Sequence, residues 1–189
     1  FDEDQVAVVN GGLEFARYFP TLAWDHLVYT GSGVVGRQVM LAAAANLVPV
    51  TLELGGKCPA VIAPDSLLDE RTIATVAGIK VIKRGQMCVT VDYCLVPESG
   101  LKAFADRLAA YMTTHFAQGN AAPHACGIIS ERHVARLNKL VDEARASGAQ
   151  VIQIGNDLEP GRRDMPFYLV IDPSDDLALM QQEIFGPIL

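Results

Sequence analysis

The stretch Lys83-Arg84-Gly85-Gln86-Met87-Cys88-Val89-Thr90-Val91-Asp92-Tyr93 decides how this chain is read. It sets one cysteine at the end of a predicted helix, after a Gly-Gln pair that lets backbone come close, and just before a run with strand composition. Cys88 is therefore the candidate nucleophile. A thiol attacks as its thiolate, so the site needs a cationic or dipolar neighbourhood and a base within reach. Lys83 and Arg84 are placed to supply charge, and Glu53 is the candidate base. The competing reading is a buried cysteine serving as a small hydrophobe, the common fate of this residue type.

Outward from Cys88, strands and helices alternate. Upstream, Gln5 to Asn10 is a β-branched run closed by Asn10-Gly11-Gly12, which predicts a strand and a turn. Leu13 to Tyr18 predicts a short helix. Asp25 to Thr30 predicts a strand, Gly31 to Gly36 a glycine turn, and Arg37 to Leu47 a helix. Val50 to Leu54 predicts a buried strand, Cys58 to Ala63 another, and Leu67 to Lys83 a helix capped by Asp65 or Ser66. Downstream, Tyr93 to Val96 is a strand, Leu101 to Phe116 a helix ending near Gly119, and Asn120 to Cys126 a loop. Gly127 to Ser130 is short and extended. Glu131 to Ala146 is an amphipathic helix with Val134, Leu137, Leu140 and Val141 on one face, stopped by Gly148. Val151 to Ile154 and Phe167 to Ile171 are strands flanking the polar segment Gly155 to Asp164. This order predicts an α/β fold built on a parallel sheet.

The totals exclude several classes of function. With 189 residues, half of them apolar and a fifth charged, the chain has the material for a packed core. A net charge of -7 argues against a nucleic-acid or anionic-membrane surface. The apolar stretch from Leu41 to Leu54 is interrupted by Asn46, Pro49 and Glu53 and is too short to span a bilayer. The cysteines at 58, 88, 94 and 126 include no Cys-x-x-Cys pair, and His26, His115, His124 and His133 are scattered, so no metal site is expected. Free thiols and the lack of a signal peptide point to the cytoplasm. The opening Phe1 and the closing apolar run to Leu189 read as the ends of an internal piece of something longer.

Four motifs stand in order: Thr30-Gly31-Ser32 to Gly36, Glu53-Leu54-Gly55-Gly56-Lys57, Gly85-Gln86-Met87-Cys88 and Glu183-Ile184-Phe185-Gly186-Pro187. Together they resemble the aldehyde dehydrogenase superfamily, along nearly the whole chain. The separation of 35 residues from Glu53 to Cys88 (88 − 53) is close to that family's spacing. The run Cys88-Val89-Thr90-Val91-Asp92-Tyr93 is most similar to the branch acting on coniferyl-type, aromatic and long-chain aldehydes.

The resemblance implies a fold and a chemistry. It implies a partial Rossmann-like NAD-binding domain over residues 1–52 and an α/β catalytic domain over 53–189. It implies Cys88 as nucleophile and Glu53 as the base that activates water for thioester hydrolysis. For the cofactor, NAD or NADP, it implies contacts from Gly31, Ser32 and Gly36 at the pyrophosphate, from the Leu54 backbone at the carboxamide, from Glu183 at the nicotinamide ribose and from Phe185 beside the ring. The partner is a small aldehyde, and the full-length parent is expected to be a homodimer. The family's oxyanion asparagine would lie upstream of Phe1, and Asn10, in its Asn-Gly-Gly turn, does not replace it. Gly33 and Met87 stand where other members often carry threonine. The rival readings are a cysteine hydrolase or acyltransferase, which needs a base such as His115, and a structural fragment without turnover.

Overall fold

The computed structural model describes residues 1–116, 126–155 and 163–189. Two units divide between Gly55 and Gly56. The expected loop at 120–126 falls outside the described residues except for Cys126, as does most of the polar segment 155–164.

The first unit, Phe1–Gly55, is a strand–helix–strand element. Strand β1 (Leu27–Gly31) leads into helix α2 (Gly33–Ala44), and the chain returns as β2 (Val50–Leu54) parallel to β1. The register pairs Leu27 with Val50 and ends with Thr30 opposite Glu53 and Gly31 opposite Leu54. Leu27, Val39, Ala43 and Val48 are buried between helix and strands, and Phe19, Tyr29 and Val50 pack against them. Helix α2 starts at Gly33, a turn earlier than its composition predicts, because the Ser32 hydroxyl accepts from the Val35 N–H at 3.4 Å and caps it. Helix α1 (Leu13–Tyr18) forms as expected. The strand expected at Gln5 to Asn10 does not. Val6, Val8 and Val9 are 54%, 86% and 61% exposed, and β-branched composition becomes a strand only where a neighbour supplies a pairing edge.

In the second unit, β3 (Pro59–Val61) and β4 (Tyr93–Leu95) pair in parallel around helix α3 (Glu70–Val81). The cap of α3 is Asp69, whose carboxylate accepts from the Thr72 N–H at 3.1 Å, rather than Asp65 or Ser66. Helices α4 (Leu101–Phe116) and α5 (Glu131–Ala146) have the predicted bounds. Strands β5 (Gln150–Ile154) and β6 (Phe167–Ile171) run antiparallel, a departure from the all-parallel order, since the polar sequence between them offers no helical pattern for the crossover that a parallel pair uses. A short helix, α6 (Ala178–Gln181), follows. The chain then lays Pro187 to Leu189 along the free edge of β6: the Tyr168 N–H donates to the Pro187 carbonyl at 2.9 Å and the Val170 N–H to that of Leu189 at 2.8 Å.

Strand β6 is buried on both faces. Tyr168 and Val170 join a core with Leu137, Leu140 and Val141 of α5, while Phe167 and Leu169 join Ile73 and Val76 of α3 and Phe104 and Leu108 of α4. That alternation follows from the two-residue period of a strand. Among the described residues, no helix is long and apolar enough to cross a membrane.

Candidate active site

The loop carrying Cys88 owes its shape to three consecutive left-handed residues. Helix α3 stops at Val81, and Lys83, Arg84 and Gly85 follow with φ of 49°, 55° and 71°. Two of these are not glycine and cost on the order of 1–2 kcal/mol each, so the surroundings must hold them. Arg84 does so. It is buried, donating from Nε to the Cys126 carbonyl at 2.7 Å and from a terminal nitrogen to the Met165 carbonyl at 2.9 Å, with Asp164 at 3.5 Å. The expectation that Arg84 would lend its charge to the cysteine is therefore corrected: it braces the turn. Lys83 is exposed.

Gln86 takes the next step. Its amide donates to the Gly127 carbonyl at 3.1 Å and accepts from the Ile129 N–H at 2.9 Å, so the side chain docks on 127–129 as a strand neighbour would. The segment predicted as extended is used by this side chain instead of by a strand. Thr90 closes the loop, its N–H donating to the Met87 carbonyl at 3.1 Å and its hydroxyl to the Ile79 carbonyl at 3.2 Å. Cys88 lies exposed at the tip between these anchors. Cys58 donates its thiol to the Cys88 carbonyl at 3.4 Å. Cys94 is partly buried on β4, and that burial pushes its thiol up to about 11, a poor nucleophile. Cys126 is exposed and free.

The segment Glu183 to Pro187 meets the cysteine loop at Gly85, where an added Cβ would stand 2.3 Å from the Gly186 carbonyl oxygen. Phe185 is partly buried with φ of 47°. Glu183 keeps one carboxylate oxygen, Oε1, buried and without a hydrogen-bond partner. Burial raises its pKa, and the nearby Asp92 charge raises it further, with Arg136 and Lys57 opposing.

Behind both loops sits a buried charge cluster. Asp92 is 2% exposed, with Lys57 at 3.3 Å and Lys80 at 3.7 Å, and its Oδ2 accepts from the Ile184 N–H at 3.0 Å. Lys80, itself 1% exposed, also donates to the Val91 carbonyl at 2.8 Å, and burial pulls its pKa down to about 8. Lys57 reaches the Leu179 carbonyl at 2.7 Å. In the sequence, Asp92 is only a mark of resemblance. No local pattern announces that these residues, scattered from 57 to 184, converge.

In the first unit, the carboxyl ends of two adjacent parallel strands bring Gly31, Ser32, Glu53 and Leu54 side by side, the usual location of ligand sites in α/β folds. Glu53 and Leu54 are exposed. Gly36 faces Leu54, whose side chain would lie 2.9 Å from an added Cβ, so this glycine lets helix and strand close up. A Cβ on Gly33 would meet nothing within 4 Å, and Ser32, Gly33 and Val34 are exposed. An exposed helix start with capped backbone and open space fits the phosphates of a dinucleotide. An unpartnered buried acceptor on Glu183 fits a ribose hydroxyl. Among the described residues no group of three or more His, Cys, Asp or Glu converges on a common point, and His124 lies outside them. His115, the base a hydrolase would need, stacks on Tyr111 of its own helix with ring centroids 4.2 Å apart.

The sequence and the fold both have counterparts among known proteins. Residues 2–189 match the aldehyde dehydrogenase family, and the chain belongs to it. It is 42% identical to a probable coniferyl aldehyde dehydrogenase of Caulobacter vibrioides over all of this chain and 40% of that protein. The structure superposes on a substrate-bound Staphylococcus aureus AldH with a TM-score of 0.84 and 32% identity, covering 100% of this chain and 40% of that one. A Mycobacterium tuberculosis aldehyde dehydrogenase complexed with NAD+ gives a TM-score of 0.81 at 28% identity, covering 95% of this chain and 38% of that one. The chain thus spans about two-fifths of the length of the relatives it matches.

Proposed function

We propose that this chain carries the nucleophile and base of an NAD- or NADP-dependent aldehyde dehydrogenase that oxidises an aromatic aldehyde such as coniferyl aldehyde, or a long-chain aliphatic one, to the carboxylic acid. The observation that carries the reading is Cys88: an exposed thiol presented at the tip of a loop that Arg84, Gln86 and Thr90 hold in one shape. Family members use NAD or NADP, and relatives named for coniferyl aldehyde support the aromatic substrate class.

The Cys88 thiolate adds to the aldehyde carbon, forming a carbon–sulfur bond and placing the carbonyl electrons on oxygen as an alkoxide. The Cys88 N–H, which has no acceptor among the described residues, is a donor for that oxygen. A nicotinamide held there would supply the acceptor for the hydride lost from the same carbon, which turns the alkoxide into a thioester. Glu53 then takes a proton from water, the hydroxide attacks the thioester carbon, and the carbon–sulfur bond breaks to return the thiolate and release the acid. With the dinucleotide bound, Ser32 and the first turn of α2 would hold the pyrophosphate, Gly31 and Gly36 would leave room for it, the Leu54 backbone would meet the carboxamide, Glu183 would accept from the ribose hydroxyls, and Phe185 would flank the ring.

The test is a stopped-flow trace on the full-length protein with coniferyl aldehyde and excess NAD or NADP, followed by intact-mass analysis. A burst of reduced dinucleotide with an acyl adduct on Cys88 is expected. An adduct on another cysteine would remove the assignment.

A further inference from the structure

The peptide between Glu183 and Ile184 is gripped from both sides by charged side chains. Arg136, on α5, donates to the Ile184 carbonyl at 2.5 Å and to the Glu183 carbonyl at 3.5 Å. From the other side the Asp92 carboxylate accepts from the Ile184 N–H at 3.0 Å. One peptide unit thus has its oxygen on a cation and its N–H on an anion, with a second carbonyl on the same cation. The anion is itself fixed, because Asp92 is buried and held between Lys57 and Lys80.

That grip leaves one group unused. The Glu183 side chain grows from the held backbone, and its Oε1 is buried without a hydrogen-bond partner. Arg136 spends its two terminal nitrogens on carbonyls and forms no ion pair with the Glu183 carboxylate within 4 Å. An unsatisfied buried acceptor costs free energy unless a donor arrives. We propose that Arg136 and Asp92 are positioning residues which, by clamping the Glu183–Ile184 peptide, aim the Glu183 carboxylate at a hydroxyl-bearing ligand, the nicotinamide-side ribose of the dinucleotide. This rests on the role assigned to Glu183 above. It adds that the role is set from α5 and from Asp92, four residues beyond Cys88 and just before β4.

The experiment measures equilibrium binding of NADH and NADPH to the full-length protein by nucleotide fluorescence, with KM and kcat measured alongside. Glu183→Gln, Arg136→Gln, Arg136→Lys and the double variant Glu183→Gln/Arg136→Gln form the set. Both single glutamine variants are expected to weaken binding about tenfold, with KM rising more than kcat falls, and Arg136→Lys to recover most of the loss. The double variant should bind no worse than Glu183→Gln, since a residue acting through Glu183 has nothing left to position. A merely structural arginine would give additive losses, and that result overturns the proposal. So would wild-type binding by Arg136→Gln beside a weakened Glu183→Gln, which leaves the role of Glu183 intact. Wild-type binding by Glu183→Gln would instead remove that role and this inference with it. Should Arg136→Gln not fold, Arg136→Met, which keeps much of the aliphatic stem and removes the donors, enters the same cycle with the same expectations.

Discussion

Gly85 and Gly186 meet backbone to backbone, so closely that a Cβ on the first would stand 2.3 Å from the carbonyl oxygen of the second. Gly85 also has φ of 71°, where an L side chain costs about 1–2 kcal/mol before any clash. Gly85→Ala should therefore destabilise the full-length protein by more than about 2 kcal/mol. Gly186→Ala meets the Cδ2 methyl of Leu137 at 2.4 Å, and a side-chain end can turn away, so its cost should be smaller. Thermal melts of the two variants check the order. A Gly85→Ala protein that melts with the wild type would show that the loops do not touch.

Cys88→Ala should abolish aldehyde oxidation and leave dinucleotide binding close to wild type, because the thiol forms the covalent bond while the dinucleotide rests elsewhere. Alanine at Cys58, Cys94 or Cys126 should spare turnover. Glu53→Gln should slow the deacylation step and leave a burst near one reduced dinucleotide per site, since it keeps the shape of the group and removes its basicity. Stopped-flow absorbance separates these outcomes. Steady turnover by Cys88→Ala would end the reading.

Asp92→Ala should be among the most damaging substitutions outside the apolar core. It strips Lys80, which is 1% exposed, of its anion and leaves the Ile184 N–H without its acceptor. Breaking a buried pair from one side costs about 3–5 kcal/mol, whereas replacing a buried ion by an apolar group of like size is often mild. Lys80→Met should therefore cost less than Asp92→Ala, its partner Asp92 keeping Lys57. Urea titrations at neutral pH give both numbers. Equal losses would mean that the cluster is not held by charge.

Burial and the Asp92 charge raise the Glu183 pKa, and this gives pH effects of opposite sign. Between the ordinary value of 4.5 and the raised one, the native chain holds a proton on Glu183 that the unfolded chain has lost. Its contribution to stability accordingly falls as pH rises through that window. Dinucleotide affinity should rise through the same window, because the ionised carboxylate is the better acceptor for a ribose hydroxyl. Glu183→Gln should flatten both trends. Fluorescence titrations and melts across this range test it, and an affinity profile unchanged in Glu183→Gln would assign the titration to another group.

Much of the second unit was legible from pattern alone. Helices α4 and α5 and strand β6 keep their predicted bounds because each has a clean period and a stop signal, such as Gly148 with φ of 87° after α5. Local chemistry misled where a partner decides the outcome. Gln5 to Asn10 has strand composition and no pairing edge, and Asp65 and Ser66 are capping residue types that lost to Asp69. For the site, Cys88 and Glu53 were readable as motif residues, yet the left-handed run at Lys83 and Arg84 was not, since neither type favours that conformation. The clamp on Glu183 and Ile184 was equally hidden, because Asp92 and Arg136 are separated from it by long stretches of chain and only folding brings them together.

The edge pairing of Pro187 to Leu189 along β6 also bears on how the chain folds. From Ile128 to Ile188, helix α5, strands β5 and β6 and the closing segment build one core whose buried members all come from that stretch. Contacts of short sequence separation lose little chain entropy on forming and so form fast. This stretch should act as the nucleus of the second unit and gather before α3 and α4 dock on the other face of β6. The Tyr168 and Val170 amides, bonded to the closing segment at the centre of that nucleus, should be among the last in the chain to exchange with deuterium.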